Sequence, residues 1–194
     1  YNTSGSSPFG YEGEFDGTND NLVVGSSTSI FNFCHNVNCK WSLNAWVQTD
    51  IVTVQQLFAT MDDRSGTNRG MSAYVSQGSN GSSVGVGCGI YSGSSGVYPI
   101  SFENTSALIS DTNWHMLTYT YDQTITDDNF TWYLDGSEVG TADKNNNDNS
   151  NSNATSNAMI AWRDNGARYW NGALTEISLW NRILSSGDVS DLYN

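Results

Sequence analysis

The feature that most restricts this chain is a two-residue hydrophobic period that returns along its length. In Trp41-Ser42-Leu43-Asn44-Ala45-Trp46-Val47 the odd positions are apolar and the even ones mostly polar. Leu117, Tyr119 and Tyr121 likewise alternate with Thr118, Thr120 and Asp122. Successive side chains of a strand point to opposite faces, so the pattern describes strands with one buried face. Segments that alternate, or are short and apolar, predict strands over 11–15, 41–49, 55–60, 71–76, 84–91, 114–122, 130–134, 158–162 and 173–180. Asp135-Gly136 reads as a tight hairpin turn. Only the C-terminus has a helical pattern. There Ser185 or Ser186 can cap, Asp188 falls in the first turn, and Val189, Leu192 and Tyr193 share a face.

Composition fits many short strands. Charged residues are 14% of the 194, hydrophobic ones 37%, with 10 Tyr, 7 Trp and 7 Phe to fill a core. Asn, Ser, Thr and Gly abound, which suits turn-rich loops because Asn and Gly tolerate positive φ. The length accommodates one domain, expected over 11–194 behind an N-terminal extension at 1–10. Residues 143–157 are nearly all Asn, Asp and Ser and read as a hairpin loop.

Seven basic residues against 20 acidic ones give a formal charge of −13. Neutralising phosphates takes clustered Lys and Arg, and the lysines are Lys40 and Lys144 alone, so nucleic acid is a poor partner. No apolar run approaches a membrane span, so direct membrane insertion is not expected. Cys34 and Cys39 enclose four residues, and a short-loop disulfide between them is the favoured reading. It implies an oxidising compartment and an exported or surface-exposed protein. Zinc is the rival, with His35 between the thiols, but no second ligand pair follows. Cys88 alternates with Gly87 and Gly89 and reads as a buried thiol. Asn-x-Ser/Thr sequons at Asn2, Asn80, Asn104, Asn129 and Asn153 are glycosylation candidates that agree with export.

Three stretches, in order, carry a resemblance. The first is Phe15-Asp16-Gly17-Thr18-Asn19-Asp20-Asn21-Leu22-Val23. The second runs Trp114-His115-Met116-Leu117-Thr118-Tyr119-Thr120-Tyr121-Asp122 and continues in Phe130-Thr131-Trp132-Tyr133-Leu134-Asp135-Gly136. The third starts at Asn171-Gly172-Ala173-Leu174-Thr175-Glu176-Ile177-Ser178-Leu179-Trp180-Asn181-Arg182 and ends with Asp188-Val189 and Leu192-Tyr193. Together they resemble the laminin-G-like, concanavalin A-like jelly-roll domains. The resemblance implies an all-β sandwich of two antiparallel sheets, its first and last strands paired, with a short C-terminal helix. It also implies a mostly non-catalytic binding role, often beside Ca²⁺.

Catalytic readings find little support. Glu12, Glu14 and Asp16 are expected to project from one strand face, where paired carboxylates could serve a glycosidase. Related hydrolases carry Glu-x-Asp-x-x-Glu in mid-chain, and that sequence is absent. No Gly-x-Ser-x-Gly elbow is present. His115 reads as a strand residue, and the chain is not expected to be an enzyme.

For Ca²⁺ the resemblance points to Asp16 and Asp20; the bland alternative is that both bind turn amides. The family's closing strand has an acid where Thr175 stands. Counting back from Ile177 and Leu179 places Thr175 inward and Glu176 outward, which weakens the cation site. Sugar binding needs an aromatic face plus fixed polar groups. Two segments mix them: Asp62, Asp63 and Arg64 in one, and Trp162, Arg163, Asp164, Arg168, Tyr169 and Trp170 in the other, against the alternative of ordinary turns. Four of the five arginines lie in residues 62–69 and 162–170. The expectation is a carbohydrate- or glycoconjugate-binding module. A structural or adhesive subunit that self-assembles through its sandwich, and a glycan-cleaving enzyme, are the alternatives.

Overall fold

The computed structural model describes residues 7–26, 30–34, 36–49, 54–60, 69–77, 84–92, 100–109, 111–143, 156–163 and 168–194. They form two six-stranded antiparallel sheets. The first sheet contains β1 (Gly13–Asp16), β12 (Asn171–Trp180), β3 (Lys40–Thr49), β8 (His115–Asp122), β9 (Phe130–Leu134) and β10 (Ser137–Ala142), in that spatial order. The second contains β2 (Leu22–Ser26), β11 (Asn157–Ile160), β4 (Gln55–Ala59), β5 (Arg69–Gln77), β6 (Val84–Ser92) and β7 (Ile100–Ile109). First and last strands pair, with Gly13 opposite Leu174 and Asp16 opposite Asn171. The predicted strands are all present; β2, β7 and β10 are additional.

Alternation in β3 sorts its side chains as the sequence implied. Trp41, Leu43, Ala45 and Val47 are fully buried between the sheets, and the first three lie opposite Tyr121, Tyr119 and Leu117 of β8. Leu57, Met71, Ala73 and Val75 meet them from the second sheet. Large aromatics fill the space between. Phe130 packs against Trp132 at 4.7 Å, tilts against Tyr121 and meets Trp41 edge to face, the last two each 5.9 Å away.

The other face of the first sheet is covered by the chain's last segment. Ser42 Oγ donates to the Arg182 carbonyl and accepts from the Leu184 amide. α1 (Ser186–Tyr193) sets Val189 into a small cluster with Met116, Tyr133 and Leu184, flanked by Trp46 and Trp180. Ser185 and Asp188 form a reciprocal capping box at its start. Asp135 (φ 50°) and Gly136 (φ 78°) make the left-handed pair of the predicted β9–β10 hairpin turn.

Two expectations are corrected here. No disulfide joins Cys34 and Cys39; both are buried in the main core, where they act as small apolar fillers. Backbone bonds fold the segment instead: the Asn36 amide donates to Asn32 and the Cys39 amide to Asn36, with Asn38 left-handed at φ 62°. Asn129 is also closed as a glycan acceptor. It is 2% exposed, and its amide nitrogen donates to the carbonyls of Asp122 and Ile125. Asn2, Asn80 and Asn153 lie outside the described residues; Asn104 is in β7, its side chain likewise outside them.

Candidate functional site

Backbone register defines an outer face on the second sheet. Gln56 pairs with Tyr74, and Tyr74 and Ser72 pair in turn with Gly87 and Gly89 of β6. Cross-strand partners share a face, so these residues lie together, while Cys88 pairs in register with Ala73. Glycine at 87 and 89 leaves the sheet beside Tyr74 without side chains. The polar groups are locked: Gln56 Nε2 donates to the Phe58 and Ala73 carbonyls at 2.9 and 2.6 Å, and Ser72 Oγ donates to Gln56 Oε1.

The β11–β12 connection is tied to this face. The Gln56 amide donates to the Arg168 carbonyl at 3.0 Å, and the Arg168 guanidinium sits 5.7 Å above the Tyr74 ring. Trp162 and Tyr169 stack with centroids 5.7 Å apart and planes within 5°. Both are half-buried, as are Arg163 and Arg168. The fold therefore gathers Trp162, Arg168 and Tyr169 as the sequence suggested. Trp170 does not join them: it is fully buried, and its amide donates to the Ala161 carbonyl, which turns the indole into the core. Asp164 and the whole Asp62-Asp63-Arg64 group lie outside the described residues.

The acidic end of β1 is arranged differently. Asp16 Oδ1 accepts from the Thr18 amide at 2.8 Å and the Asn19 amide at 3.4 Å, while Asp20 Oδ2 accepts from the Asp16 amide. Glu14, Asp16, Asp20 and Gln48 line an open cavity of about 440 Å³ beside β12. Among the described residues no three acidic, His or Cys side chains converge as a metal-ligand group. Asp16 and Asp20 thus close the turn through main-chain amides, the alternative that the sequence offered beside a Ca²⁺ site.

Thr175 is not inward as strand counting suggested. It pairs with Trp46 of the outer face, because a bulge between Thr175 and Ser178 shifts the register and Glu176 is left-handed at φ 50°. Its hydroxyl donates to the Tyr11 carbonyl at 3.0 Å. Glu12 also departs from expectation. It precedes β1 and is 6% exposed, whereas Glu14 and Asp16 are exposed, so the three do not form one row.

A family model described as the concanavalin A-like lectin/glucanases superfamily matches residues 13–190. The chain belongs to that superfamily. Solved structures with this fold include the heptameric SAP-like pentraxin of Limulus polyphemus (13% identity, TM-score 0.66), with 93% of this chain and 80% of that one covered. The CBM40 module of the Ruminococcus gnavus IT-sialidase, bound to α2,3-sialyllactose, gives 11% identity and a TM-score of 0.67, covering 95% and 98%. Domain 4 of AbnA, an extracellular arabinanase of Geobacillus stearothermophilus, in complex with arabinotriose, gives 17% and 0.58, covering 98% and 80%. No curated protein sequence matches the chain. At these identities the likeness is one of fold.

Proposed function

We propose that the protein is a non-catalytic carbohydrate-binding module acting outside the cell, its site on the outer face of the second sheet beside the β11–β12 connection. The observation that carries this reading is the coplanar Trp162–Tyr169 stack next to the Arg168–Tyr74 pair. Sugar recognition combines an aromatic face for the ring's C–H surface with fixed polar groups for hydroxyls, and here the half-buried Arg168 guanidinium stands beside the Trp162–Tyr169 stack. Two modules of this fold are described with glycans bound, sialyllactose and arabinotriose, which supports the substrate class. Export rests on the sequons at Asn2, Asn80, Asn104 and Asn153.

The test is a glycan array followed by calorimetry with arabinotriose and α2,3-sialyllactose as first probes. Saturable binding to at least one glycan is expected, lost in Trp162→Ala and kept in Glu138→Gln, which lies on the far edge strand β10. An array without hits, or full binding by Trp162→Ala, would overturn the assignment.

A further inference from the structure

Where β1 and β12 of one sheet face β2 and β11 of the other, the sandwich holds a second cavity, of about 190 Å³. Its walls are apolar, formed by Phe15, Leu22, Ile160, Leu174 and Ile177. The acidic residue Glu12 also borders this lining. Glu12 is 6% exposed and accepts a single hydrogen bond, from the Ser7 amide to Oε2 at 2.9 Å. Oε1 accepts none among the described residues, and no described Lys, Arg or His pairs with the group. Burying a carboxylate is unfavourable unless donors or a cation compensate, and one amide is meagre compensation.

The mouth of the cavity is shaped by a second acid. Glu176 is held in a left-handed conformation at the β12 bulge, and its Oε1 accepts the Tyr11 hydroxyl at 2.9 Å. Bulges re-aim side chains, and a strained non-glycine residue persists only where its surroundings hold it. The result is a small apolar chamber bordered by two acidic residues, Glu12 and Glu176, and by Tyr11 and Phe15. Anions are repelled from such a place. A neutral apolar molecule would leave Glu12 with its one donor. A cation with a hydrocarbon body satisfies both parts, since ammonium groups bind carboxylates and aromatic faces.

We propose that this cavity binds a small organic ammonium ion, its nitrogen held by Glu12 and its hydrocarbon part by Phe15, Leu174 and Ile177. The site is separate from the glycan face, and its volume admits only a small ligand. The test is a heteronuclear NMR titration of the whole chain with n-butylammonium chloride, with 1-butanol as the uncharged control. Butylammonium is expected to give saturable shifts at the amides of Gly13, Thr175 and Ile177, and butanol much weaker ones. Glu12→Gln should weaken butylammonium by about tenfold or more, the scale of a hydrogen bond to a charged group. Leu22→Trp, at a 37% exposed wall position, should fill the mouth and abolish binding without disturbing the core. The proposal fails if butylammonium gives no saturable shift, if butanol binds equally well, or if folded Glu12→Gln keeps the wild-type affinity. Should Glu12→Gln not fold, Leu22→Trp decides: undiminished butylammonium binding there overturns the site.

Discussion

The His115 ring lies with Nδ1 2.8 Å from Asp135 Oδ2. Its Nε2 is 3.1 Å from Asp111 Oδ1, so the ring joins the β9–β10 hairpin turn to the segment before β8. A neutral imidazole has one N–H and cannot donate to both carboxylates; the imidazolium can. The hydrogen bond to Asp135 is the main cause that raises the His115 pKa above its ordinary value, helped by Asp111 and opposed by burial. The folded state therefore binds the proton more tightly than the unfolded chain. This stabilisation is complete below about pH 6.5, the unfolded value, and is lost as pH rises through the higher folded value. Chemical denaturation should show stability falling from pH 6 towards pH 8, with the slope removed in His115→Gln. An NMR titration of the His115 ring should give a midpoint above that of a free histidine, and one at or below it would refute the clamp.

How much of this was legible in advance depends on what each residue's signal encodes. Strands β3 and β8 were readable because one face is core and the other is not. Strand β2 was missed since Leu22, Val23 and Val24 are all exposed, leaving no alternation to see. The helix cap was legible from Ser185 and Asp188 alone, a local rule. The displacement of Thr175 was not, because one left-handed residue at Glu176 reverses every face assignment counted through it. Trp170 looked like its neighbours Trp162 and Tyr169; only the hydrogen bond to Ala161 shows which of the three turns inward.

Ser185→Ala should loosen the C-terminal helix. Ser185 Oγ accepts the Asp188 amide and donates to its carboxylate, while the Ser185 amide donates to the same carboxylate. Losing an N-cap of this kind costs about 1 kcal/mol, read as a lower denaturation midpoint at unchanged m-value. The Arg182 guanidinium and the two Ser185 donors lower the Asp188 pKa to about 2. A lowered folded value means that the cap contributes fully above about pH 4 and fades as pH falls towards 2. Helix amides should therefore exchange faster at pH 2.5 than the core amides of β3, and uniform exchange rates would contradict the local cap.

Metal removal should leave the fold unaltered. Asp16 and Asp20 already receive the amides of Thr18, Asn19 and Asp16, so the turn is closed without an ion. Thermal unfolding in EDTA and in millimolar Ca²⁺ should coincide. An upward shift with Ca²⁺ that saturates would show that the two carboxylates are released to a cation, since a ligand of the native state alone must raise its stability.

Gly172 marks the closest backbone approach between β12 and β3. A Cβ there would lie 2.1 Å from the Gln48 carbonyl oxygen and 3.0 Å from Thr49 Cα, and φ is +130°, where side chains are strongly disfavoured. Neither contact can be relieved by a rotamer, because both partners are main chain. Gly172 also pairs with Phe15 of β1, so displacing it disturbs the junction of three strands. The bond network beside it would shift too: Thr49 Oγ1 donates to the Asn171 carbonyl, and Gln55 receives the Asn171 amide. Gly172→Ala should accordingly destabilise by several kcal/mol, well beyond the ~1 kcal/mol of an ordinary strand substitution. Exposed Gly10, with nothing near its Cβ position but a φ of +79°, is the matched control for conformational cost alone. Equal losses of stability in Gly172→Ala and Gly10→Ala would mean that the clash with β3 is relieved by a backbone shift, and that the register of the two strands is softer than the close approach implies.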